Sequence, residues 1–322
     1  MRTLSAPTID DIRAARERLA GVVLRTPLVR LNVDGPNEIY LKLENLQPIG
    51  SFKLRGAANA MRLAGPERLA KGVYTASAGN MAQGVAWSAR QIGVPATVVV
   101  PEHAPETKLA AIERLGGRYV KVPFEQWWQV LTDHGAPGYD GLFIHPVADT
   151  AVMAGNGTIG LEILEDLPDV DTVLVPIGGG GLVSGIATAI RAGKPDTRVY
   201  ACEVETAAPL TAALAAGGPQ TVDYRPSFVD GIGGKRVLDE MWPLVKSLVD
   251  GARVVPLAAV AEALRLLAER NRVIAEGAGA TPVAVALAGL PEITEGKKIV
   301  CVISGGNIDV GKLTTILAGG VP

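Results

Sequence analysis

A chain of 322 residues has room for two domains or for one large α/β domain. Its 48% hydrophobic and 20% charged residues are those of an ordinary globular protein, and a net charge of −2 excludes the basic footprint of a nucleic-acid or acidic-membrane binder. Three histidines with no clustered Cys/His pattern argue against a zinc site; two distant cysteines in apolar runs, Cys202 and Cys301, are expected as buried free thiols in a reducing cytoplasm.

The opening Met1-Arg2-Thr3-Leu4-Ser5-Ala6-Pro7 lacks the apolar core of a signal peptide. No apolar run reaches the roughly 18 residues that span a bilayer. Ile9 to Ala20 reads as an amphipathic helix behind Thr8 as N-cap, and Arg25 to Leu31 as an extended entry segment. Glu38 to Leu43 alternates as a strand. It leads into Glu44-Asn45-Leu46-Gln47-Pro48-Ile49-Gly50-Ser51-Phe52-Lys53-Leu54-Arg55-Gly56, with Ser51 an N-cap candidate for the helix that follows. A lone lysine is ordinarily a solvated charge. Lys53, behind an aromatic residue at the mouth of a helix, has a second reading as a desolvated amine, nucleophilic towards a carbonyl. Its company has to decide.

After a turn at Gly65-Pro66 the chain alternates. Strands are expected at Gly72–Ala76, Ala96–Val100 and Arg118–Val122, and helices at Met81–Gln91 and Thr107–Leu115. This is a βαβαβ unit with short connections, hence a parallel sheet. The aromatic run Phe124-Glu125-Gln126-Trp127-Trp128 fits core packing or a pocket wall. The second half repeats the pattern, with helices at Gly157–Leu164, Leu182–Ala192, Val260–Arg270 and Thr281–Leu287, and strands at Thr172–Ile177, Arg198–Val204 and Lys298–Ile303. Two open, mostly parallel twisted sheets with covering helices follow, with a cleft between them. The borders fall near Gly65-Pro66 and in 146–150.

Ligands of open α/β sheets bind beyond the carboxyl ends of the strands. Three loops lie there. Gly178-Gly179-Gly180-Gly181-Leu182 joins a strand to a helix, so its N–H groups can converge on an anion; the spacing is neither a dinucleotide fingerprint nor a Walker A loop, and a phosphate monoester suits it. Ser77-Ala78-Gly79-Asn80-Met81-Ala82-Gln83-Gly84 could cap its helix or hold a carboxylate. Ser304-Gly305-Gly306-Asn307 could be a plain turn or place a hydroxyl against a ring nitrogen. A phosphate cradle, a carboxylate cradle, a lysine and a hydroxyl together match pyridoxal phosphate bound to an amino acid.

These stretches, with His145-Pro146, Ala154-Gly155-Asn156-Gly157-Thr158 and Ala275-Glu276-Gly277-Ala278-Gly279-Ala280, resemble the fold-type-II (tryptophan synthase β-like) pyridoxal-phosphate enzymes, specifically the serine/threonine dehydratase and serine racemase group. The resemblance spans nearly the whole chain. It implies a large cofactor-binding domain of 1–66 and 151–322 and a small mobile domain of 67–150 closing over the substrate. It also implies a homodimer. By the same resemblance Lys53 forms the Schiff base, Phe52 packs near the ring, Asn80 bonds the phenolic oxygen, Gly178 to Leu182 hold the phosphate and Ser304 meets the pyridine nitrogen. Glu276 matches an acidic residue near the cofactor, and also suits the start of a helix. Ser77, Ala78, Gly79, Asn80, Met81 and Gln83 match positions around the substrate carboxylate.

Three departures refine this picture. Met81 stands where the group usually has histidine. Ala78 stands where racemases place a second serine, which favours dehydration over racemisation. Pro209 replaces an acid that would complete, with Glu203, the group's divalent-cation site, so no metal is expected. By rough alignment Trp128 falls where racemases have a polar or basic pocket residue, and with Met81 it suggests an apolar pocket. The expected function is therefore a cytoplasmic dehydratase (ammonia-lyase) that converts a β-hydroxy amino acid of the threonine or serine type to a 2-oxo acid and ammonia. A phenylserine-type dehydratase, a racemase and a non-catalytic binder are the alternatives. About fifteen residues follow Asn307, so no C-terminal regulatory domain is expected.

Overall fold

The computed structural model describes residues 4–289 and 296–322, so Met1 to Thr3 of the segment read for a signal peptide lie outside the described residues. In chain order the strands are β1 (Leu28–Arg30), β2 (Glu38–Lys42), β3 (Val73–Ala76), β4 (Ala96–Pro101) and β5 (Arg118–Val122). They continue as β6 (Leu142–Phe143), β7 (Thr172–Pro176), β8 (Arg198–Val204), β9 (Gly251–Val255) and β10 (Lys298–Val302). The helices of the first half are α1 (Ile9–Leu19), α2 (Lys53–Leu69), α3 (Asn80–Gln91), α4 (Glu106–Arg114), α5 (Phe124–Thr132) and α6 (Thr150–Asp166). Those of the second half are α7 (Gly181–Gly193), α8 (Pro209–Ala216), α9 (Trp242–Leu248), α10 (Leu257–Leu266), α11 (Gly277–Ala288) and α12 (Val310–Leu317).

The strands form two sheets, as expected. One has the order β1-β2-β10-β7-β8-β9 and the other β5-β4-β3-β6. Among the described residues every strand pairing is parallel except β1 with β2. Burial on both faces explains why β7 and β10 read as continuous apolar runs. No described helix is long and apolar enough to cross a membrane. Cys202 and Cys301 are free and buried, and burial pushes both thiols above their ordinary pKa.

Local signals mostly hold. Thr8 caps α1 in a full capping box with Asp11. Two do not. Ser51 is not the N-cap of α2: Phe52 occupies that place with helical φ/ψ, and Ser51 instead forms a β-bridge with Gly305. Gly65-Pro66 is not a free turn but a kink inside α2, made possible by Gly65 at φ +76°.

The first turn of α2 is fixed by a buried ion network. Arg55, fully buried, donates Nε and Nη2 to Glu44 at 2.8 Å each and Nη1 and Nη2 to Glu162 of α6 at 2.6 and 2.9 Å. Lys42, at the end of β2, pairs with Glu162 at 2.6 Å, and Thr26 Oγ1 donates to Glu44 at 2.6 Å. Burial pushes the Glu44 carboxyl up, but Arg55 outweighs it and holds the group below its ordinary range. Replacing Arg55 with Met should leave two buried carboxylates short of a partner. The expected loss is about 3–5 kcal/mol of unfolding free energy, read by denaturant titration, against under about 1 kcal/mol for the exposed Arg13→Met.

Candidate functional site

Lys53 opens α2, and the packing of α3 against α2 places it beneath the 77–84 loop. A Cβ on Gly84 would sit 3.1 Å from the Lys53 carbonyl oxygen, so glycine permits this crossing. The Lys53 ammonium lies 5.2 Å from the Phe52 ring centroid and donates to the carbonyl of Pro146 at 2.6 Å. It meets a carbonyl rather than a carboxylate. Burial pulls its pKa down to about 8, opposed only by Glu276.

Val147, the residue after Pro146, lies on the glycine turn. A Cβ on Gly179 would fall 2.5 Å from the Val147 side chain, and one on Gly181 would fall 2.8 Å from its carbonyl oxygen. Gly180 has φ +97° and is the N-cap of α7. Packing and backbone shape thus require glycine at three of the four positions, more than a simple tight turn would. At Gly178 a Cβ would meet the 231–233 backbone at 3.5 Å and beyond, ordinary contact, so packing does not require glycine there. Leu182 follows in the first turn of α7, buried.

The 304–307 loop zips onto the 49–52 loop. Phe52 N donates to Ser304 O at 2.9 Å, Gly306 N to Gly50 O at 2.9 Å, and Asn307 Nδ2 to Ile49 O at 2.9 Å. Ser304 is buried. Glu276, the N-cap of α11, donates its backbone N–H to Gly305 O at 2.9 Å. Its carboxylate accepts from Asn80 Nδ2 at 2.9 and 3.1 Å, while Asn80 Oδ1 accepts from Asn307 Nδ2 at 2.8 Å. Burial pushes the Glu276 carboxyl up to about 7 despite the Asn80 donor.

Lys53, Phe52, Asn80, Glu276, Ser304 and the glycine turn therefore surround one cleft between the sheets. Ser77 Oγ accepts from Gly79 N at 3.2 Å, and Ser77, Ala78 and Gly79 lead into the N-terminus of α3. Gln83 is buried one turn on. Met81 sits elsewhere. Its side chain, 1% exposed, packs among Ala57, Ala60, Val85, Ile144 and Val152, so the residue offers the loop its backbone but not a thioether wall. Trp128 is 42% exposed on α5 with its ring 6.3 Å from that of Trp127, which packs on the β3–β4 face. Glu203 spends both carboxylate oxygens on the Leu210 and Thr211 N–H groups (2.8 Å each) and the Thr211 hydroxyl (2.6 Å), capping α8, which begins at Pro209. Sequence reading missed Pro146 and Val147, whose contributions are a backbone carbonyl and a packing contact. The adjacent His145-Pro146 pair was the only available signal.

A family model described as pyridoxal-phosphate dependent enzyme matches residues 19–305. An L-threonine ammonia-lyase of Thermotoga maritima is 43% identical over 324 residues, covering 98% of this chain and 79% of that one. Maize serine racemase superposes with a TM-score of 0.87 at 34% identity, covering 98% of both chains. A threonine deaminase from T.th. gives 0.80 at 35% identity, covering 94% of this chain and 99% of that one.

Glu276 gives a pH test of the site. Its folded pKa of about 7 lies above the unfolded value near 4.5, so the folded state binds the extra proton and stability falls as pH rises from 4.5 through 7. Glu276→Gln removes that penalty. The cofactor-free variant should gain about 1–3 kcal/mol over the parent at pH 8, and the gain should vanish near pH 4.5, measured by denaturant unfolding at both pH values.

Proposed function

The chain belongs to the pyridoxal-phosphate-dependent enzymes and is a lyase of that class; from that premise we propose that it dehydrates a β-hydroxy amino acid of the threonine and serine type, releasing a 2-oxo acid and ammonia. The observation that carries the proposal is the Lys53 amine, desolvated to a pKa of about 8, bonded to a carbonyl, and facing a carboxyl held near 7.

The residues fit the cofactor. An amine with that pKa is substantially unprotonated at mildly alkaline pH and can attack an aldehyde, as a salt-bridged lysine cannot. The N–H groups of Gly179, Gly180, Gly181 and Leu182 at the start of α7 suit a phosphate. Phe52 would pack near the ring, Asn80 would donate to its phenolic oxygen, and Ser304 would meet its nitrogen. Pyridoxal phosphate supplies an electron sink for the pair released at Cα.

The protein's own groups then divide the proton work. Ser77, Gln83 and the N–H groups of Ala78 and Met81 would hold the substrate carboxylate at the start of α3. Lys53 Nζ, once free, takes the Cα proton. Glu276, near half-protonated at neutral pH, supplies a proton to the departing β-hydroxyl, which leaves as water. The released enamine adds water and gives the 2-oxo acid and ammonia. Residues 67–150 close over the cleft through Asn80–Glu276, Lys108–Asp230 at 3.0 Å and His134–Glu240 at 2.8 Å. Ala78 has no hydroxyl to act as a base on the opposite face of Cα, which favours elimination over racemisation.

The apolar-pocket reading loses its support, because Met81 lies in the core and Trp128 is exposed. L-threonine or L-serine should therefore exceed phenylserine in kcat/KM by at least tenfold, assayed as 2-oxo acid formation across a panel of β-hydroxy amino acids. A preference for phenylserine, or no 2-oxo acid from any member, sinks the proposal. Lys53→Ala should lose the cofactor's visible absorption band and all turnover.

A further inference from the structure

We propose that His145 is a positioning residue, whose ring folds 145–149 into the one shape that brings a carbonyl to Lys53 and a side chain to the glycine turn. The inference rests on the reading of Lys53 and Gly178 to Leu182 as cofactor anchors.

The imidazole is 2% exposed and held on both sides, stacked on His134 at 4.4 Å and edge-on to Phe143 at 5.9 Å. Its Nδ1 accepts from Val147 N at 3.0 Å and Ala148 N at 2.7 Å. These donors stand two and three residues on, the pattern by which an Asn or Asp side chain caps a turn. An Nδ1 that accepts two N–H groups carries no proton, so the neutral ring is the Nε2–H tautomer. The same fact disposes of another reading. One potential ligand atom from each of His134, His145 and Glu240 lies within 4.8 Å of the other two, an arrangement that could pass for a cation site. A metal at His145 Nε2 would need the proton moved to Nδ1, against two backbone donors.

The rest of the segment follows from this cap. Pro146 has no N–H to place. Asp149 N donates to Val147 O at 3.1 Å, and Asp149 Oδ1 accepts from Ala151 N and Val152 N at the start of α6. Every N–H from 147 to 149 is thus satisfied within the segment or by the ring, and the Pro146 carbonyl is turned outward to Lys53 at 2.6 Å. The next residue buttresses Gly179 and Gly181. One ring therefore couples the amine and the phosphate turn, two anchors that are far apart in sequence.

Two variants separate this role from simple packing, because each keeps what the other loses. His145→Asn keeps an acceptor for Val147 N and Ala148 N but gives up the stacked ring. His145→Phe keeps a stacking ring but has no acceptor. Cofactor-free protein of each is titrated with pyridoxal 5′-phosphate, following the visible band and the Kd. Positioning predicts Asn within about threefold of the parent Kd and Phe weakened at least tenfold, with its band displaced or diminished. Equal losses, no loss in either, or a tighter Phe variant would overturn the inference. If the Phe variant does not fold, His145→Ala replaces it and must bind at least tenfold more weakly than Asn. Lys53→Ala is titrated in parallel: a band that survives there overturns the reading of Lys53 itself, and the inference falls with it.

Discussion

The constraint on which the site depends is the buried Arg55 between Glu44 and Glu162. Two cations, Arg55 and Lys42, meet two carboxylates, so the cluster is neutral as a whole while each member is buried. Such networks contribute little net stability against a well-packed apolar alternative, but losing one member is costly. Their value here is geometric. The guanidinium fork has one low-energy pose between two carboxylates, and it ties the end of β2, the turn at Glu44, and α6 to the first turn of α2. Lys53 lies two residues earlier, about 200° around the helix. Fixing Arg55 into the core therefore turns Lys53 away from it and into the cleft.

Close backbone packing completes that placement. A Cβ on Gly155 of α6 would fall 2.4 Å from the Arg55 carbonyl oxygen, and one on Gly185 of α7 would fall 2.2 Å from that of Met153. Helices α2, α6 and α7 thus meet backbone to backbone. This brings the lysine of one helix and the glycine turn that opens another to the same cleft. Glycine is unfavourable inside a helix, and here it is kept at the positions that allow the contact.

The sequence made much of this legible, unevenly and for physical reasons. Strands buried on both faces announced themselves as apolar runs, and their carboxyl-end loops drew attention to Lys53, Asn80, the glycine turn and Ser304 because side-chain chemistry and glycine density are visible in letters. Short elements were not legible: β6 has two residues, too few for any period, and α8 and α9 are brief helices led by Pro209 and Trp242-Pro243. Ser51 looked like a cap because serine favours that place, yet tertiary pairing with Gly305 claimed its backbone. Met81 and Trp128 were read by alignment as pocket walls, whereas helical phase turned one into the core and left the other exposed. The Pro146 carbonyl could not be foreseen, since a backbone acceptor carries no residue signature.

The cleft is tuned by desolvation acting in opposite directions on two groups. It lowers the Lys53 ammonium to about 8 and raises the Glu276 carboxyl to about 7, so burial moves a base and an acid towards each other across neutrality. Each group is thereby less committed to its charged form than an exposed lysine or glutamate would be, which suits one to take a proton from substrate and the other to give one up. A salt-bridged lysine would be too protonated to attack a carbonyl, and an exposed carboxylate too acidic to donate at neutral pH. The uncharged partner at Pro146 O leaves the first condition intact, and the single amide donor from Asn80 is too weak to undo the second.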